Sequence, residues 1–165
     1  MADKFNLKVD WALYPWGGTK DMERLWGNRT IGNEDDVMDW PNDLGKKLVF
    51  EVLEKLGKKP KKSEIVDIET EDYLYMIKTQ SWTTPDSNDK IFGMAIKYIE
   101  IPEKYNKPLK IVCVAHQEYD LIKGSVRLFK NITAKHEKFL EFVSENNIEY
   151  VKFSDLVEEL KEDNK

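Results

Sequence analysis

Apolar residues recur at helical spacing between positions 44 and 56. Leu44, Leu48, Val49, Val52, Leu53 and Leu56 fall on one stripe of a cylinder turned 100° per residue, with Asp43 as the predicted N-cap and Gly57 as the stop. The pattern then changes to period two. Glu64–Thr70 and Tyr73–Trp82 read as strands joined in a hairpin at Glu71-Asp72. Alternation puts Ile65, Asp67 and Glu69 on one face of the first strand, and Leu74, Met76, Lys78, Gln80 and Trp82 on one face of the second. Thr83–Asp89 reads as a loop. Ile91, Met94, Ala95 and Tyr98 predict a helix over 91–106, ended or kinked by Pro102, against a competing extended reading of 90–101.

Leu109–Ala115, LKIVCVA, is a continuous apolar run rich in β-branched residues, the pattern of a strand covered on both faces, and His116 stands where it runs out. Thr133 caps a predicted helix running through Asn146. Ile148–Phe153 reads as a short strand, and Ser154 as the cap of a last helix carrying Leu156, Val157 and Leu160. Residues 161–165 read as a frayed tail. This order predicts an α/β domain with a mixed β-sheet flanked by helices.

Ahead of the first strong helix the pattern is irregular. Residues 5–16 allow a short strand ended by Pro15, and Asp21–Trp26 a helical turn. Gly27, Gly32 and Pro41 interrupt anything longer. Trp11, Trp16, Trp26 and Trp40 fall in this stretch. Such aromatics stack on sugars or bases in some proteins, but their ordinary role is to pin an irregular segment to a core. The expectation is one domain over 1–165, with 1–41 packed on the core.

At 165 residues, 41% hydrophobic and 35% charged, the chain has the makeup of a globular domain. No apolar run approaches the roughly 18–20 residues of a membrane helix, and the opening MADKFNLKVDW lacks a secretory pattern. The single cysteine, Cys113, excludes an internal disulfide and sits in an apolar run. A soluble, cytoplasmic protein is expected. The net charge of −5 weighs against gripping nucleic acid by overall attraction. Lys58, Lys59, Lys61 and Lys62 form a local basic patch, whose plainer reading is a solvated connector.

Two resemblances bear on chemistry. In LVFEVLEKLG, EIVDIET and YMIKTQ, the element order and the residues Glu51, Asp67 and Lys78 resemble the restriction-endonuclease-like nuclease family, over about residues 43–116. That family's core carries an acid on a helix, an Asp on a strand, and an acid two residues before a Lys on the next strand. The resemblance implies a magnesium-dependent nuclease cleaving DNA phosphodiesters, with Asp67 and Glu51 as metal ligands and Lys78 as catalytic lysine. Hard cations require convergent carboxylate oxygens, and the ions activate the attacking water. The chain departs from the family at Met76, which stands where the second acid belongs; Glu69 is the candidate replacement ligand. The ordinary reading of Asp67 and Lys78 is an exposed strand face with a cross-strand ion pair.

The second resemblance covers residues 109–160. LKIVCVAHQEYD, a helix and IEYVKFSDLVEEL are similar to the closing segment of polysaccharide deacetylases, which implies a carbohydrate-active protein with His116 on the catalytic-base side. The family's Asp-Asp pair and His-x-x-x-His metal motif are absent, and His116 and His136 are the only histidines. A non-catalytic binding protein on the same α/β scaffold is the third reading, favoured by Met76, the acidic charge and the early tryptophans. No glycine-rich phosphate loop and no Gly-x-Ser-x-Gly motif is present.

Overall fold

The structure, a computed structural model, describes residues 34–80 and 87–165. The predicted strand within 5–16, the turn at Asp21–Trp26, Trp11, Trp16, Trp26 and Trp82 lie outside the described residues, as does the side chain of Trp40. The chain is α/β, with an open five-stranded mixed sheet between two layers of helices. The elements are α1 (Glu34–Lys55), β1 (Lys61–Lys62), β2 (Ile68–Glu69), β3 (Leu74–Gln80), α2 (Ser87–Lys97), α3 (Ile101–Tyr105), β4 (Leu109–Ala115), α4 (His116–Lys123), α5 (Ala134–Glu145), β5 (Ile148–Lys152) and α6 (Phe153–Asp163). The strands lie in the order β1-β2-β3-β4-β5; β1 and β2 run antiparallel to their neighbours, while β3, β4 and β5 are parallel.

Central strand β4 is buried along nearly its whole length and divides its side chains between two cores. Val112 and Val114 join Leu48, Val49, Val52 and Leu53 of α1 and Phe153, Leu156 and Val157 of α6 on one face. Leu109, Ile111 and Cys113 join Ile91 and Ala95 of α2, Leu121 of α4 and Val143 of α5 on the other. The continuous apolar run is therefore the signature of a strand covered twice. Each fully buried Leu, Val or Ile contributes about 1.5–3 kcal/mol relative to exposure, so α1 is held mainly by its four innermost residues.

Several elements differ from the sequence expectation. Helix α1 begins at Glu34, not after an Asp43 cap, and carries Pro41 within it. Proline's φ is compatible with a helix and forfeits one backbone hydrogen bond, while the burial of Leu48 to Leu53 secures the rest. Its predicted end holds. Gly57, at φ +71°, takes the left-handed position, and the Lys58 and Gly57 amides bond the Leu53 and Glu54 carbonyls at 3.0 and 2.9 Å.

The predicted strand over 64–70 shrinks to Ile68–Glu69. Ser63 Oγ accepts the backbone N–H groups of Ile65 and Val66 at 3.1 and 3.3 Å, a local turn that competes with extended pairing. Part of the expected basic connector, Lys61–Lys62, instead forms the edge strand β1, where lysines discourage further pairing. The predicted 91–106 helix is two helices, with Pro102 in the first turn of α3 where a missing N–H costs nothing. The final helix starts at Phe153 and runs to Asp163, and Asn164 Nδ2 donates to the Leu160 carbonyl at 2.7 Å.

Candidate functional site at the carboxyl edge of the parallel strands

Helix α4, HQEYDLIK, was not expected at all. It follows β4 without a connecting loop, through Ala115 at φ 63° and ψ −127°. That conformation suits glycine; an L-alanine held there stores strain, which structures retain where the surroundings dictate it. The first turn of α4 is polar yet buried: His116, Gln117, Glu118 and Asp120 are 4%, 0%, 3% and 7% exposed. This turn lies at the carboxyl end of the parallel strands, the end at which open α/β sheets bind ligands, although the order β3-β4-β5 contains no reversal of the kind that opens a crevice there.

His116 Nε2 and Asp120 Oδ1 lie 3.2 Å apart, one helical turn from each other, and the imidazole stacks on Tyr119 with ring centroids 5.3 Å apart. A neutral imidazole that donates its Nε2–H to the aspartate keeps Nδ1 as its basic nitrogen. Glu118 turns toward β5. Its carboxylate accepts the Ser154 backbone N–H at 3.0 Å and the Ser154 hydroxyl, capping the first turn of α6 from another element.

The β3 end supplies Lys78, Thr79 and Gln80, in register with Cys113, Val114 and Ala115. Lys78 is half-buried. Burial pushes its ammonium below the ordinary lysine range, Lys90 pushes the same way, and Asp67 opposes both. Cys113 is wholly buried, and burial pushes its thiol well above the usual value, with Glu118 adding and Lys78 opposing. A thiol so placed is no nucleophile. On the α1 side, a Cβ added to Gly45 would lie 1.7 Å from Thr79 Oγ1, so only glycine lets α1 cross β3 here. Among the described residues, Thr79 Oγ1, Gln80 Oε1 and both amide atoms of Gln117 are buried without a hydrogen-bond partner.

Of the residues of the nuclease resemblance, Asp67 and Lys78 lie within electrostatic reach of each other, and the three acids Glu51, Asp67 and Glu69 are each engaged by a different lysine. Glu51 is half-buried on α1, 4.0 Å from Lys55. Asp67 holds the backbone: Oδ2 accepts the Ile77 N–H at 2.8 Å beside the short β2, replacing a ladder carbonyl, and Oδ1 meets Lys46 at 3.1 Å. Glu69 bonds Lys107 at 2.8 Å and approaches Lys61 at 3.8 Å, and Lys107 holds its carboxyl below the usual range. Met76 packs against the second core, in register with Ile111. Among the described residues no three His, Cys, Asp or Glu side chains gather as a metal site. The basic patch is partly neutralised, with Lys58 3.6 Å from Glu159. His136 sits on α5 beside Phe92, centroids 5.8 Å apart.

A hollow of about 520 Å³ opens at the opposite, amino end of the parallel strands, with Tyr73, Lys110, Asn147 and Glu149 in its walls. None of the partnerless buried polar atoms lies there, so the carboxyl edge remains the better candidate. No helix among the described residues is long and apolar enough to cross a membrane. No family model, curated protein or solved structure matches this chain.

Proposed function

We propose that the carboxyl edge of β3, β4 and β5 is a hydrolytic site in which His116, oriented by Asp120, moves the proton. The observation that carries this reading is the buried 3.2 Å His116–Asp120 pair placed directly after the strained Ala115 at the end of the central strand. A carboxylate on one nitrogen fixes the ring's tautomer and supports the imidazolium formed when the other nitrogen takes a proton. The resemblance of residues 109–160 to polysaccharide deacetylases supports an N-acylated sugar as substrate. His116 takes a proton from water as its oxygen attacks the acyl carbon. The C–N bond then breaks, the amine leaves with that proton, and a carboxylic acid is the second product. The described residues do not form a metal site, and no step is assigned to one.

Acetate release from chitotetraose by the purified chain tests the reading. Folded His116→Gln and Asp120→Asn variants are expected to lose about 10²-fold or more in rate. No release by the parent chain, or release unchanged in His116→Gln, overturns it.

The magnesium-dependent nuclease reading, on a restriction-endonuclease-like core, draws support from the element order and from Asp67 and Lys78 lying within electrostatic reach of each other. It is weaker because Glu51, Asp67 and Glu69 each answer to a different lysine. Plasmid cleavage in Mg²⁺ that disappears in Asp67→Ala would reverse the ranking.

A further inference from the structure

We infer that the face of the carboxyl edge opposite α1 is a subsite for an oxyanion, so that the ligand bound there carries a carboxylate or a phosphate. The inference takes from the proposed function only the location of the ligand. Alternation along β3 puts Lys78 and Gln80 on the face of Leu74 and Met76, which belong to the second core. Gln117 shares the inner face of α4 with Leu121, four residues on, and Leu121 packs into that same core. β3 and β4 are paired up to Gln80 and Ala115, and α4 starts at the next residue. Lys78, Gln80 and Gln117 therefore occupy one layer at one end of the sheet.

The polar groups in this layer lack partners of the kind they require. Gln117 is fully buried with neither amide atom hydrogen-bonded among the described residues, and the buried Gln80 Oε1 likewise has no partner among them. Leaving such groups unsatisfied is costly, and folded proteins tolerate few of them. Lys78 is half-buried and makes no ion pair among the described residues. The charge it feels most is that of another lysine, Lys90, in the first turn of α2. The carboxylate that opposes this repulsion, Asp67, is already engaged by Lys46 and by the Ile77 amide. The half-buried Lys78 ammonium, the exposed Lys90 ammonium and a buried amide donor, with no carboxylate paired to either lysine among the described residues, are complementary to an oxyanion. Its arrival would satisfy the Gln117 amide nitrogen and neutralise a lysine pair that now repels.

Calorimetric titration of the purified chain with glucuronate, glucose 6-phosphate and glucose tests this. At least one acidic sugar is expected to bind tenfold or more tightly than glucose. Glucuronate alone would identify a carboxylate ligand, glucose 6-phosphate alone a phosphate, and both together the shared oxyanion chemistry. Lys78→Met is expected to weaken binding by tenfold or more, and Lys90→Ala by a few-fold. Gln117→Leu is expected to lose affinity while melting at a higher temperature than the parent, which separates lost recognition from lost folding. His116→Gln should keep its affinity, so failure of the hydrolytic reading leaves this result readable. Equal affinity for glucose and both acidic sugars overturns the inference, as does unchanged affinity in a folded Lys78→Met variant.

Discussion

Glu118 of α4 caps α6. Its carboxylate takes the Ser154 backbone N–H at 3.0 Å and the Ser154 hydroxyl, across 36 residues of chain. Both residues are buried, at 3% and 6% exposure, so these are charge-assisted bonds shielded from water. The contact ties the polar turn after β4 to the helix after β5, and with it the position of His116. Glu118→Ala leaves two donors at the α6 terminus without that acceptor and is expected to cost about 2–3 kcal/mol; Ser154→Ala, which keeps the backbone bond, about 1 kcal/mol. Urea unfolding of both variants measures this. A loss below 0.5 kcal/mol for Glu118→Ala, on the order of a surface substitution, would show that the cap contributes little.

Gly45 and Thr79 make a second such joint. A Cβ at position 45 would fall 1.7 Å from Thr79 Oγ1 and 2.9 Å from its Cβ. Alanine would gain about 1 kcal/mol in helix propensity, but forcing α1 off β3 costs about 1–3 kcal/mol in a packed core, so Gly45→Ala is expected to destabilise overall. Thr79→Ala removes the nearest atom and should recover part of the loss. A double-mutant cycle by chemical denaturation should therefore give a favourable coupling above about 0.5 kcal/mol; strict additivity would mean that α1 shifts freely.

How far the fold could be read from the sequence follows from what each element buries. The inner stripe of α1, strands β3 and β5 and helix α5 bury apolar residues at a clear period, and β4 buries a continuous apolar run; both patterns are written in the chain. Helix α4 escaped because it buries His116, Gln117, Glu118 and Asp120, and a hydrophobicity pattern cannot see polar burial. The hairpin about Glu71-Asp72 forms as read, but its first strand is shorter than the alternation predicts, because Ser63 and Asp67 spend their side chains on backbone amides and end regular pairing within two residues. Of the candidate site, His116 was visible as a histidine where an apolar strand stops. A His and an Asp four residues apart directly after such a strand was the signal for its partner Asp120. Nothing in the sequence marked Ser154 as the residue Glu118 would hold.

Glu69 makes acid stability depend on Lys107. Their 2.8 Å hydrogen bond holds the Glu69 carboxyl below its ordinary value of 4.5. A carboxylate with a depressed folded pKa adds stability that is complete above its unfolded value and lost as pH falls through the folded one. The parent chain should therefore lose this contribution on acidification below about pH 4.5. Lys107→Met should lower stability at pH 7 by no more than about 1 kcal/mol, since the pair is partly solvated, and should flatten the acid limb of the stability curve. Thermal melts from pH 3 to 7 test this; parallel curves for parent and variant would exclude the linkage.

Gln117 offers the sharpest contrast between stability and use. With the amide fully buried and neither of its polar atoms bonded among the described residues, a leucine of similar volume removes two desolvated groups and adds apolar contact with the core that holds Leu121. Gln117→Leu is therefore expected to stabilise the chain by about 1–3 kcal/mol. Thr79→Val, which replaces another partnerless buried hydroxyl with a methyl group, is expected to gain about 1 kcal/mol by the same reasoning. The difference lies in function: Thr79 faces α1 through Gly45, away from the lysine layer, so Thr79→Val should leave affinity for an acidic sugar unchanged while Gln117→Leu abolishes it. Denaturant melts and calorimetric titration on the same two proteins decide the matter. A Gln117→Leu variant less stable than the parent would mean that the amide is satisfied within the folded chain and is not held in reserve for a ligand.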